Sequence, residues 1–174
     1  MVSTILPQFP KFQVNVSLFH DVQNSEDIRL QVAELPFAFV DASVIVSQEQ
    51  LFAAVYRVLT DLTYNKLRTK TIHSECLLAL SPTSNIGEAF NRFGIQQGST
   101  DLVVLQIVEV GQESTESAND IVKGTEVEFN NDNLLHTYNE QTLRKIYKLD
   151  NSFQPKTTEG FSQALVNAIQ LRGL

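Results

Sequence analysis

The sequence predicts an α/β (α+β) fold, a single central sheet of about four or five strands with helices packed on its faces. Three observations predict it. Residues 11–19 alternate, with Phe12, Val14, Val16 and Leu18 on one side and Gln13, Asn15 and Ser17 on the other, as in a half-buried strand. Residues 101–110 carry a nearly continuous apolar run, Leu102 to Leu105 with Ile107 and Val108, as in a strand covered on both faces. Between and after these lie capped stripes of apolar residues at helical spacing.

Taken in order, Asn24 or Ser25 caps a helix bearing Ile28, Val32 and Leu35, which Pro36 ends. Residues 37–40 form a short strand. Ser47 and Gln50 frame a capping box that opens a helix with Leu51, Ala54, Val55, Val58, Leu59 and Leu62 on one stripe. This helix runs out at residues 64–70, the most basic short window of the chain. Residues 73–80 read as another buried strand, stopped by Pro82. Asn85 then caps a helix with Glu88 three residues on, Ile86, Ala89, Phe90 and Phe93 at helical spacing, and Gly94 as a left-handed C-terminal residue. Residues 111–118, rich in Ser, Thr and Glu, read as an exposed loop. A short helix and a short extended piece follow within 119–128, then two short helices within 132–149. Thr157 or Thr158 caps a last helix.

Composition narrows the function. The 174 residues suit one domain spanning 1–174 with a normal core. A formal net charge of -7 argues against a generally basic nucleic-acid binder and leaves room for a local basic patch. The single cysteine, Cys76, cannot form an internal bridge, and a reduced intracellular compartment fits. The first residues do not read as a secretory signal, and no apolar stretch is long enough to cross a bilayer.

The chemistry-bearing residues do not assemble into a catalytic set. His20, His73 and His136 lie in unrelated segments. On a strand, His73 and Glu75 share one face and Cys76 takes the other, which parts the thiol from a base. Asp132 and Glu140 are not placed together by anything in the sequence, and Lys123 and Gly124 lack the phosphate-loop pattern around them. No enzyme activity, cofactor or metal is expected. The helix start at Asn85 after a polar loop offers backbone N–H groups to an anion, although an ordinary connection accounts for the same residue types.

The wording of the chain resembles the PRPK-binding (TPRKB-type) family, the small subunit of the KEOPS/EKC complex, in its budding-yeast form. The resemblance is carried by Ile5-Leu-Pro-Gln-Phe-Pro10, Tyr64-Asn-Lys-Leu-Arg-Thr69, Ser74-Glu-Cys76, residues 81–86 with Ala89, Phe90, Phe93, Gly94 and Ile95, Ile121-Val-Lys-Gly124, Glu126-Val-Glu-Phe-Asn130, Arg144-Lys-Ile-Tyr-Lys-Leu149, Ala164-Leu-Val166 and Ala168-Ile-Gln-Leu-Arg-Gly173. It spans almost the whole chain in order.

The resemblance implies a non-catalytic protein that binds the small atypical kinase/ATPase subunit of KEOPS and recruits tRNA by its 3′ CCA end. Threonylcarbamoyl addition next to the anticodon would be performed by a separate transferase subunit. It also implies links to telomere maintenance and transcription, and cytoplasmic and nuclear localisation. The tRNA 3′ end is expected at Lys66, Arg68, Asn85 and Ile86, since cations and a helix start suit phosphates. The kinase subunit is expected on the last helix, at Phe161, Ala164, Leu165, Ala168, Ile169 and Leu171, with part of that stripe in the core. The alternative is a pure adaptor of the kinase subunit without tRNA contact.

Overall fold

The computed structural model describes residues 1–112, 116–150, 152–155 and 157–171. Its centre is β2, Phe12–His20, whose alternating residues bury Val14, Val16 and Leu18. β2 pairs antiparallel with β4, Leu102–Glu109, from Phe12 opposite Glu109 to Phe19 opposite Leu102. β3, Ala38–Asp41, adds to the far side of β4. The other edge of β2 is shared by two short antiparallel strands. β1, Val2–Thr4, lies against residues 14–16, and β5, Thr125–Val127, against residues 18–20. The sheet is thus five-stranded, antiparallel and ordered β1-β2-β4-β3, with β5 beside β1 on β2.

β4 is buried on both faces, as its apolar run predicts, and it divides the core in two. Val103, Leu105 and Ile107 join Val14, Val16 and Leu18 in the larger cluster. That cluster is closed by α2, Gln48–Thr63; α3, Ile72–Leu80; α7, Glu140–Ile146; and α8, Thr158–Leu171. Leu102 and Val104 face the other way, onto Phe19, Phe37, Phe39 and Ile28 of α1, Ser25–Gln31. Three further helices are short or peripheral: α4, Ile86–Phe93; α5, Ala118–Ile121; and α6, Asn131–Leu134.

Local chemistry sets the helix starts. Ser47 Oγ accepts the Gln50 N–H, a cap worth about 1 kcal/mol. The reciprocal half of that box is not made. Gln50 Oε1 instead accepts the Val46 N–H at 2.7 Å, and its Nε2 donates to the Val44 carbonyl and the Tyr147 hydroxyl. Asn85 Oδ1 accepts the Glu88 N–H at 2.9 Å. At the last helix Thr157 Oγ1 accepts the Gly160 N–H. Asn24 occupies the N-cap position of α1 without capping; its amide joins the Ile121 carbonyl and the Lys123 N–H instead.

Two further sequence expectations are overturned. The segment 73–80, expected as a strand, is the helix α3. Thr71 caps it through the Ser74 N–H, and Glu, Cys, Leu and Ala are not branched at Cβ, so a helix accommodates them at little entropic cost. Cys76, Leu78, Ala79 and Leu80 are all buried, so no polar face marks the period. Pro82 therefore follows a helix, not a strand. Gly94 is not left-handed either. Its φ of -72° and ψ of 166° are extended. Glycine is needed there for space, since a Cβ would lie 2.6 Å from the Phe90 carbonyl oxygen. The expected loop 111–118 lies partly outside the described residues.

Candidate functional site

Two surfaces follow from this scaffold, one at each end of the α3–α4 hairpin, and a third on α8. The connection from α2 to α3 carries Lys66, Arg68 and Lys70, all exposed. It leaves α2 through Asn65, whose φ of 56° is left-handed, and the Lys66 N–H donates to the Asp61 carbonyl at 2.7 Å. Its second half is held by Glu75 of α3. The buried carboxylate accepts the Arg68 N–H at 3.1 Å, the Thr69 N–H at 2.9 Å and the Thr69 hydroxyl at 2.7 Å, all on Oε2. Among the described residues no carboxylate pairs with Lys66, Arg68 or Lys70, whereas Arg29, Arg92 and Arg144 each pair with a glutamate. The Lys66 ammonium stands 6.0 Å from the centre of the exposed Tyr64 ring.

Asn85 is exposed and Ile86 half-buried at the start of α4. The Asn85 side chain is spent on its own helix cap, so the anion-facing groups here are the remaining first-turn N–H groups. Lys66 and Arg68 precede α3, and Asn85 follows it. Nine residues at about 1.5 Å each separate the two by about 13 Å along the helix axis. The four residues expected to share one site thus lie at opposite ends of α3, and one phosphate cannot meet them all.

Beside the first half of α3 and the C-terminal part of α4 lies an open, mainly apolar groove of about 490 Å³. It is lined by Leu35, Phe37, His73, Leu77, Phe90 and Ile95, with Thr71 and Ser74 nearest in sequence to Lys70. Phe90 is 37 % exposed while Phe93 is fully buried. Both share the apolar spacing of α4, and periodicity alone could not tell them apart.

His73 and Cys76 are not reactive partners. The His73 imidazole accepts the Ile107 N–H through Nε2 at 3.1 Å, and burial lowers its pKa to about 4. The Cys76 thiol donates to the Ile72 carbonyl, and burial, with the Glu75 charge beside it, pushes its pKa far up. A protonated buried thiol is a poor nucleophile. Among the described residues no cluster of three or more His, Cys, Asp or Glu could hold a metal, and no helix is long and apolar enough to cross a membrane.

On α8 the structure corrects half of the expected interface. Phe161, Leu165 and Ile169 form one ridge, as their spacing predicts, but that ridge is buried against α2 and the sheet. Ala164 and Ala168 are half-buried beside it, and Leu171 is 61 % exposed. The two helices run parallel, since Ser47 meets Ser162 at their starts and the Arg57 guanidinium donates to the Ile169 carbonyl near the other end. Leu171 therefore lies toward the end of α2 that carries Tyr64.

Residues 19–173 match the family described as Kinase binding protein CGI-121. The chain belongs to the CGI-121 family. It is 47 % identical over 171 residues to the EKC/KEOPS complex subunit CGI121 of Candida glabrata, covering 97 % of this chain and 98 % of that protein. It is 43 % identical to the protein so named in Eremothecium gossypii over the full length of both. The Schizosaccharomyces pombe protein is 36 % identical, with 97 % and 98 % covered. The CGI-121 match takes in the basic connection, the groove and α8, and leaves out β1 and most of β2.

Proposed function

We propose that this chain is a non-catalytic subunit of a KEOPS/EKC complex that binds its small atypical kinase/ATPase subunit and takes up the 3′ CCA end of tRNA. It would thereby support threonylcarbamoyl modification of the adenosine next to the anticodon, carried out by the transferase subunit, in cytoplasm and nucleus. Membership of the CGI-121 family and the names of its relatives support the complex and the kinase.

The observation that carries the tRNA reading is the connection 66–70. In a protein of net charge -7, its three cations fall within five consecutive residues, exposed and without carboxylate partners among the described residues. An unpaired RNA tail presents phosphates to such cations and free base faces to an aromatic ring. Phe90 in the adjoining groove offers that ring, and stacking is worth about 1–3 kcal/mol per base. Arg68 and Lys66 would hold the phosphates; Asn85 and Ile86 would be reached only by a tail laid along the hairpin. The kinase subunit would dock on the open side of α8, at Ala164, Ala168 and Leu171. Links to telomeres and transcription would follow from the complex as a whole.

The net negative charge favours the second reading, a kinase adaptor that does not touch tRNA. Binding of intact tRNA and of tRNA lacking its CCA end decides between them. Tighter binding of the intact form, lost on reversing the charges of Lys66 and Arg68, supports recruitment. Equal affinity for both forms leaves the adaptor.

A further inference from the structure

We propose that Glu75 is the positioning residue of the basic connection, fixing its backbone so that Lys66, Arg68 and Lys70 stand ready for an RNA tail. This rests on the tRNA-binding reading of that segment.

Glu75 is 2 % exposed, in a stretch of α3 whose next residue, Cys76, lies in the apolar core. A carboxylate in such a place needs donors, or its burial is costly. No Lys or Arg supplies them, for Glu75 takes part in no ion pair among the described residues. The donors are the Arg68 N–H, the Thr69 N–H and the Thr69 hydroxyl, all from the connection itself. The three bonds converge on one oxygen, so they fix the connection to a point on α3. Hydrogen bonds to an ionised acceptor are about twice as strong as neutral ones.

The rest of the connection is tied as well. The Asn65 and Lys66 N–H groups return to α2, and the Thr71 carbonyl, 3.1 Å from the Thr69 hydroxyl, is a second acceptor sharing its one hydrogen with Glu75. Each tie uses main chain or the Thr69 hydroxyl and leaves the cationic side chains outside. An acid beside three cations would ordinarily neutralise one of them. Here its charge is absorbed by main-chain dipoles, and the cations remain available. α3 is itself anchored two residues earlier, where His73 meets the Ile107 N–H of β4. The connection is thus registered to the sheet through α3. A segment ordered before its ligand arrives gives up less entropy on binding.

The sign of the effect separates positioning from simple electrostatics. Removing a negative charge close to an RNA site should tighten RNA binding if charge alone mattered. Positioning predicts the reverse.

The experiment uses the full chain as wild type, Glu75→Ala, Glu75→Gln and Lys66→Ala/Arg68→Ala. Each is measured for binding of tRNA with and without its CCA end, for amide exchange over residues 66–71, and for thermal melting. Glu75→Ala removes all three bonds and is expected to speed exchange at Arg68 and Thr69 and weaken intact-tRNA binding about tenfold, as the ordering of the segment is lost. Glu75→Gln, whose amide oxygen can accept the same N–H groups, is expected to recover most of the affinity. If Glu75→Ala leaves tRNA affinity unchanged or higher while the Lys66/Arg68 variant lowers it, the positioning role is wrong. If the Lys66/Arg68 variant itself leaves affinity unchanged, the tRNA reading fails and takes the proposal with it. Should Glu75→Ala not fold, Thr69→Val removes one of the three donors; faster exchange without loss of tRNA affinity in that variant overturns the proposal equally.

Discussion

The His73 imidazole and the Ile107 backbone amide join α3 to β4 through a 3.1 Å hydrogen bond in which Nε2 is the acceptor. β3 pairs with β4 only as far as Leu105 opposite Ala38. Ile107 lies beyond that pairing, and a side chain from a helix takes the place of a strand. The bond exists only while Nε2 carries no proton, which ties folding to pH. The unfolded imidazole protonates near pH 6.5, while burial holds the folded one unprotonated down to about 4. Between those values the unfolded chain binds more protons, so stability is full above pH 6.5 and drains away as pH falls toward 4. The loss by pH 5 is about 2 kcal/mol. Denaturant midpoints at pH 7 and 5 measure it. His73→Leu should start less stable by about 1–3 kcal/mol, with Ile107 unpaired, and should lack this part of the acid sensitivity.

Gly94 should not tolerate a methyl group. Its Cβ would meet the Phe90 carbonyl oxygen at 2.6 Å, with Leu77 Cδ1 at 3.6 Å on the other side. Gly94→Ala is expected to cost about 1–3 kcal/mol through forced backbone shifts. Gly98 is the matched control, since nothing lies within 4 Å of the same position there and its φ is not left-handed. Gly98→Ala should be neutral or stabilise by up to about 1 kcal/mol. Paired thermal melts test both.

On α8, Leu165 and Leu171 should behave in opposite ways. Leu165 is fully buried, and Leu165→Ala should cost about 2–5 kcal/mol whatever the partner does. Leu171→Glu should leave the melting temperature unchanged within error and abolish capture of the kinase subunit. A Leu171→Glu protein that still captures the kinase would place the docking face elsewhere.

If the connection 66–70 grips an RNA tail, affinity should fall steeply with salt. Three phosphate contacts to a single strand give a log–log slope of about -2, and each cation removed should reduce its size by about 0.7. Titrations at several salt concentrations with Lys66→Ala, Arg68→Ala and Lys70→Ala read this directly. A slope indifferent to all three substitutions counts against the site.

Most elements legible in the sequence have a visible polar face; β4 is an exception, read from an apolar run rich in β-branched Val and Ile. β2 announced itself by alternation, and α2, α4 and α8 by stripes behind Ser47, Asn85 and Thr157. α3 was misread because burial on nearly every side erases the period that separates helix from strand. The same limit applies within the site. The cations at 66–70 were plain in the sequence, but nothing in it showed that Glu75 turns inward to hold the main chain of that segment. On α8 the spacing identifies a ridge without revealing what lies opposite, so it could not say which part of the stripe is core; the structure puts Phe161, Leu165 and Ile169 there. Phe90 and Phe93 illustrate it again, alike in spacing and opposite in exposure.

The Tyr147 hydroxyl donates to the Leu80 carbonyl at the end of α3 and accepts from Gln50 of α2, which in turn grips the main chain at Val44 and Val46. Through this cross-brace the loop before Asn85 and the helix pair α2 and α8 are bolted to common timber. Two bodies seated on these two surfaces would be held at a set interval, as by a gauge block. If a tRNA end and a partner subunit do seat there, these hydrogen bonds would pass a shift at one surface on to the other.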